Sequence, residues 1–98
     1  MPNILISAPV RAKLAAKHRV DPAEVRQCFA NRTGGLLADL REEHQTNPAT
    51  RWFIALTDRG RILKVCYVPA GDYHLRTCYP PSERELAIYR KYGRPTDL

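Results

Sequence analysis

The sequence predicts a single α+β domain with the element order α-α-β-β-β-β-α, an antiparallel sheet covered by helices on one face. Three observations carry that expectation. Two helix-start signals stand within the first 25 residues. Three runs rich in branched and aromatic residues, 51–57, 62–68 and 73–79, are joined by short turns that contain glycine. A capping box, Ser82 with Glu85, opens a last helix directly after Pro80 and Pro81. A chain of 98 residues supports one core, so one domain over 1–98 is expected, with its body at about 8–92.

The first helix spans Ala8 to His18, with Pro9 in its first turn and Leu14 and Ala15 inward, a turn after Val10 or Arg11. The second begins at once, with Asp21 as N-cap, Pro22 at the first position and Glu24 in the first turn. Val25, Cys28 and Phe29 then fall at i, i+3, i+4 and form a buried stripe. The run Asn31 to Gly35 stops it with residues that tolerate a left-handed backbone. Leu36 to Leu40 is short and apolar and is read as a strand. Residues 41–50 are polar, contain Pro48 and form a loop, in which His44 is given no role.

Residues 51–57 form the next strand, 58–61 a hairpin turn with Gly60, 62–68 the return strand and 69–72 a second turn. The strand 73–79 follows. Strict alternation puts Tyr73, Leu75, Thr77 and Tyr79 on one face and His74, Arg76 and Cys78 on the other. The last helix points Leu86, Tyr89, and Ile88 with Tyr92, toward the sheet, and residues 93–98 form a frayed tail.

The hydrophobic fraction of 44% is that of an ordinary globular chain, and no apolar run approaches the roughly 20 residues a membrane span requires. The first residues are apolar with their charges following, the reverse of a secretory signal, so a cytoplasmic protein without a membrane partner is expected. Three cysteines without CxxC spacing argue against a disulfide framework and a zinc site, and for small buried thiols. Net charge is +6, and from Arg51 onward nine Lys and Arg face five Asp and Glu. Such a domain attracts polyanions, either nucleic acid or an acidic protein.

A sheet covered on one side leaves its other face for solvent or a ligand. Lys64 with Cys66, and His74 with Arg76, alternate on neighbouring strands, and Arg51 and Arg61 mark the hairpin ends. Either these cations converge on one phosphate-binding surface, or the face is basic without a ligand. His18, His74 and Tyr79 are the groups able to do acid–base work on a phosphodiester. Each also has a plain reading: His18 as a cation at a helix end, Tyr79 as a core tyrosine, Thr77 as a β-former. The chain has no glycine-rich phosphate loop, no HExxH, no serine nucleophile elbow and no carboxylate cluster for magnesium. Cleavage of RNA by such a chain would use neither metal nor cofactor: the 2′-hydroxyl would attack its own phosphate, helped by a base, an acid and cations.

The segment KHRVDPAEVRQCF, 17–29, resembles the Lys-His-x-Val, Glu-Val and Phe pattern of BrnT-type toxins. RWFIALTDRGRILKVCYV, 51–68, is similar to that family's Arg-bearing strand, Gly-Arg turn and return strand, and HLRTCYPPSERELAIY, 74–89, to its last strand and helix. In order, the three cover most of 14–92. The family belongs to the RelE-like ribonuclease toxins of toxin–antitoxin pairs. The resemblance implies a RelE-like fold, metal-independent RNA cleavage, and RNA and a small antitoxin as partners, with ribosome dependence open. Carried over residue by residue, Lys17, His18, Arg51, Arg61, Arg76 and Tyr89 match its motifs. One departure stands at the strand end. Where the family has Ile-Ser-Ala-Arg, this chain has Thr77, Cys78, Tyr79 and Pro80. That ending is similar to nuclease toxins of the wider barnase–EndoU–colicin–RelE assemblage, which pair a helix His with a strand Arg, Thr or Tyr. The expected catalytic set is therefore His18, Arg76, Thr77 and Tyr79, with His74 the other candidate acid or base. The expected RNA-binding set is Lys17, Arg51, Arg61, Lys64 and Tyr89, and no metal is expected. The alternatives are a non-catalytic RNA- or protein-binding module on the same fold, and an interaction protein whose basic face meets an acidic partner.

Overall fold

The computed structural model describes residues 2–41 and 47–98. His44 and half of the polar loop expected at 41–50 lie outside the described residues. The chain is α+β. Strand β1 (Ile4–Leu5) precedes helix α1 (Ala8–Lys13), which runs on as a π-helical turn, Leu14–His18. Helix α2 (Pro22–Asn31), the short β2 (Leu37–Ala38), then β3 (Arg51–Leu56), β4 (Ile62–Ala70), β5 (Asp72–Tyr79) and helix α3 (Glu83–Tyr92) follow.

The local signals act as their chemistry requires. The Asp21 carboxylate accepts from the Ala23 N–H, and Glu24 returns a bond from the Asp21 N–H. Ser82 and Glu85 do the same for α3. Gly60 and Gly71 sit in the two hairpin turns with φ of +81° and +75°, where a side chain would be strained.

The sheet departs from the expectation in three respects. Its order is β1-β5-β4-β3-β2, and β1 lies parallel to β5, so the sheet is mixed rather than antiparallel. Two residues carry no alternation that would reveal such a strand. Second, helices cover both faces. Register pairs Phe53 with Val65 and Tyr67 with Leu75 on one face, and Trp52 with Cys66 and Lys64 with Tyr79 on the other. Helix α2 packs on the first, with Phe29 edge-on to Phe53 and Tyr67. Helix α3 packs on the second, with Tyr89 against Trp52. Ile88 and Tyr92 consequently face outward, not toward the sheet. Third, Cys66 pairs with Thr77 and Tyr67 with Leu75, which leaves Arg76 as the extra residue of a β-bulge. The bulge resets the alternation. Leu75 and Cys78 are buried on the face of Val65 and Tyr67, while Thr77 and Tyr79 turn to the α3 side with Lys64 and Cys66.

The core gathers Leu14, Val25, Cys28, Phe53, Val65, Tyr67 and Tyr89 around the central strand β4. The expected frayed tail is tied down instead: Thr33 bonds the Asp97 carboxylate and accepts from the Thr96 N–H, and Leu98 packs on the core. Tyr89 pins this corner. It is fully buried, and its hydroxyl donates to the Gly35 carbonyl at 2.7 Å. A Cβ at Gly93 would lie 2.5–2.8 Å from ring atoms of Tyr89 that have no room to move. Gly93→Ala is expected to lose about 1–3 kcal/mol in chemical denaturation through this overpacking.

Candidate active site

The π-helical turn and the bulge meet across one cleft of about 360 Å³. The first-helix side contributes Lys13, Lys17 and His18; the sheet contributes Cys66, Arg76, Thr77 and Tyr79. Asp39, Arg41 and Thr50 close the far rim. Among the described residues of the lining, four cationic side chains stand against one carboxylate, and the Arg41 guanidinium forks onto that carboxylate at 3.1 and 2.9 Å. The cleft is thus a basic depression, the electrostatic setting that suits a phosphate.

His18 is half-buried, with its ring 5.4 Å from that of Tyr79 and tilted by 33°. Partial burial, then Lys13 and Lys17, hold its pKa below the ordinary histidine value. The imidazole is therefore neutral at pH 7 and able to accept a proton. Arg76 is exposed on the bulge, where its guanidinium is unencumbered by the strand ladder. The Thr77 hydroxyl oxygen is buried and has no hydrogen-bond partner among the described residues. Such an atom is costly unless something else bonds to it, and it belongs to a residue of the cleft lining. Cys66 also lines the cleft, but burial pushes its thiol up to about 11, so it stays protonated and is no nucleophile. All three cysteines are buried and free, as expected.

Behind the cleft lies a second arrangement. The Tyr79 hydroxyl donates to Glu85 Oε2 at 2.7 Å, and Lys64 Nζ reaches the same oxygen at 2.6 Å. The Lys64 ammonium also sits 4.5 Å from the Trp52 ring centre. Burial, and its bond to Glu85, push the Tyr79 phenol upward, so it is a proton donor at neutral pH. Burial alone would raise the Glu85 carboxyl; the bonds from Lys64, Ser82 and Tyr79 outweigh it and hold the group at about 2. A depressed carboxylate stabilises the fold above its unfolded pKa, and that contribution is lost as pH falls toward 2. Glu85→Gln has no carboxylate to titrate there. The stability advantage of the wild type over this variant should be constant above about pH 5.5 and shrink between about pH 4.5 and 2 in denaturation series.

No protein-family model, no curated protein and no solved structure matches this chain. The functional reading therefore stands on the cleft and its chemistry.

Five of the ten expected residues, Lys17, His18, Arg76, Thr77 and Tyr79, line the cleft together. The other five do not. His74 is exposed on β5, its ring nitrogen 3.1 Å from the Ala70 carbonyl. Arg51 pairs with Tyr67 across the sheet from the cleft. Lys64 is buried and ion-paired to Glu85, and so is not a free backbone ligand. Tyr89 is the structural pin described above. Arg61 bonds to Glu24 and to backbone carbonyls. Lys13, Asp39, Arg41 and Thr50 were not anticipated. Lys13 precedes Lys17 by four residues on one helix, and that spacing could have disclosed it. Asp39 and Arg41 both follow a strand of two residues, at the end of a short apolar run, and nothing in the pattern marks them.

Proposed function

We propose that the cleft binds the sugar–phosphate backbone of RNA and cleaves it by internal transesterification, the chain acting as the ribonuclease toxin of a toxin–antitoxin pair. The observation that carries this reading is the meeting of His18, Arg76, Thr77 and Tyr79 in one basic depression. The likeness of the three sequence segments to RelE-like toxins supplies the toxin context. Neutral His18 accepts the proton of the 2′-hydroxyl as that oxygen bonds to phosphorus. Arg76 and Lys17 hold the phosphoryl oxygens as charge grows on them, and Thr77 donates its unpaired hydroxyl to one of them. The bond from phosphorus to the 5′-oxygen breaks, and Tyr79 gives that oxygen its proton. The products carry a 2′,3′-cyclic phosphate and a 5′-hydroxyl. Tyr79 then regains a proton as His18 releases its own, so no proton is gained or lost overall. Of the two groups considered beside His18, Tyr79 stands next to it and His74 does not line the cleft.

A second reading, a module that binds RNA without cutting it, is favoured by one contact: the Tyr79 hydroxyl is already bonded to Glu85. Both readings predict that Lys13, Lys17 and Arg76 engage phosphates. Three such contacts on a single strand give a slope of about −2 in log affinity against log salt, or about a twentyfold loss between about 50 and 200 mM. A flat response in a fluorescence-anisotropy titration with a short RNA would remove both. Cleavage of the same RNA in EDTA separates them.

No helix among the described residues is long and apolar enough to cross a membrane.

A further inference from the structure

We propose that Arg61 is a positioning residue that fixes His18 and Lys17 by clamping the end of the π-helical turn. This rests on the reading of His18 as the base. The turn Leu14–His18 ends at Arg19, whose backbone is left-handed at φ 53° and ψ 46°. An L-residue there costs about 1–2 kcal/mol, so something must hold the turn closed. The last carbonyls of a helix also lack partners within it. Arg61 supplies both needs. Its guanidinium donates to the Arg19 carbonyl at 2.8 Å and to the His18 carbonyl at 3.2 Å.

The clamp is anchored at each end. The Arg61 N–H donates to the Thr57 hydroxyl at 3.0 Å, and its carbonyl accepts the Thr57 N–H at 2.9 Å, which ties it to the β3–β4 hairpin. The same guanidinium meets both Glu24 oxygens at 3.2 and 3.3 Å, and Glu24 is already held by the Asp21 N–H. One planar fork thus joins the hairpin, the π-helical turn and the start of α2. A lysine ammonium, a single point charge, cannot make that join. With these donors engaged, Arg61 acts on RNA through His18 and not by touching phosphate.

The test compares wild type with Arg61→Lys, which keeps the charge, and Arg61→Gln, which does not. The His18 imidazole is titrated by NMR, with the His74 signals as internal reference. Among the described residues, the titratable and charged groups that share the cleft with His18 are Lys13 at the end of α1, Lys17 of its own turn, Arg76 and Tyr79 of β5, and Asp39 with Arg41 at the rim. If Arg61 sets geometry, the His18 titration moves up toward the ordinary value in both variants, and RNA cleavage falls about 10- to 100-fold. Arg19→Gly, which accepts the left-handed backbone without strain, should restore part of both in Arg61→Lys. A shift in Arg61→Gln alone would make the effect one of charge and overturn the proposal. Unchanged titrations in both variants would overturn it as well. The titration needs no RNA. An inactive wild type would refute the cleavage reading while the His18 result still decides the clamp.

Discussion

Replacing Arg76 by alanine is expected to lower single-turnover RNA cleavage by about 10²- to 10³-fold, the loss typical of one donor aimed at developing charge. His18→Ala is expected to cost about 10²- to 10⁴-fold, the range of general acid–base catalysis. The two differ in what else they touch. Arg76 is the extra residue of a bulge and is exposed, so its loss should change stability by no more than about 0.5 kcal/mol. His18 packs on the Tyr79 ring, and its substitution will cost some stability too. Arg76→Ala is therefore the cleaner reporter. An Arg76→Ala protein of unchanged melting temperature and unchanged cleavage rate would remove Arg76 from the site.

The second large effect concerns folding. Lys64→Ala is expected to destabilise the protein by about 3 kcal/mol, measured by urea denaturation at neutral pH. The Lys64 side chain is 7% exposed and its Glu85 partner 25% exposed. Removing the ammonium leaves the carboxylate, held at about 2 by its bonds, without its main cation, and strips the Trp52 ring of its cation contact. Lys64→Met keeps most of the side-chain volume, and pairing it with Glu85→Gln removes both charges at once. That double variant should recover much of the loss, because the penalty lies in the unpaired charge rather than in the missing bridge. Equal destabilisation in Lys64→Ala and in the double variant would show that packing, and not the ion pair, sets the cost.

Much of the architecture was legible in the sequence because it was written in local chemistry. The Asp21 and Ser82 caps, the glycines of the two hairpins and the apolar runs of β3 and β4 each determine their neighbourhood by sterics and hydrogen bonding. What was not legible depended on distant partners. Alternation along 73–79 cannot reveal a bulge at Arg76, since the extra residue exists relative to the facing strand. Lys64 was expected on an open face because helices were expected on one side of the sheet only; α3 covers that face and brings Glu85 to meet it. Arg61 carries the charge of a phosphate ligand, and only the fold brings the carbonyls of His18 and Arg19 within its reach. Tyr89 matched a motif position, yet Gly34 and Gly93 close around it as a packing element. His18, Arg76, Thr77 and Tyr79 were expected from their chemistry and from the resemblance, although strict alternation would set Arg76 on the face opposite Thr77 and Tyr79. The rim of the site was not expected, because Asp39 and Arg41 arrive from a segment without periodic pattern.

The measurement that tests the central claim most directly is analysis of RNA ends after incubation with the purified protein in EDTA, beside Arg76→Ala and beside DNA of the same sequence. The account predicts fragments that end in 2′,3′-cyclic phosphate and begin with a 5′-hydroxyl, sharply reduced by the variant and absent from the DNA, which lacks the attacking hydroxyl. Intact RNA with the wild-type protein, or fragments undiminished by Arg76→Ala, would contradict it.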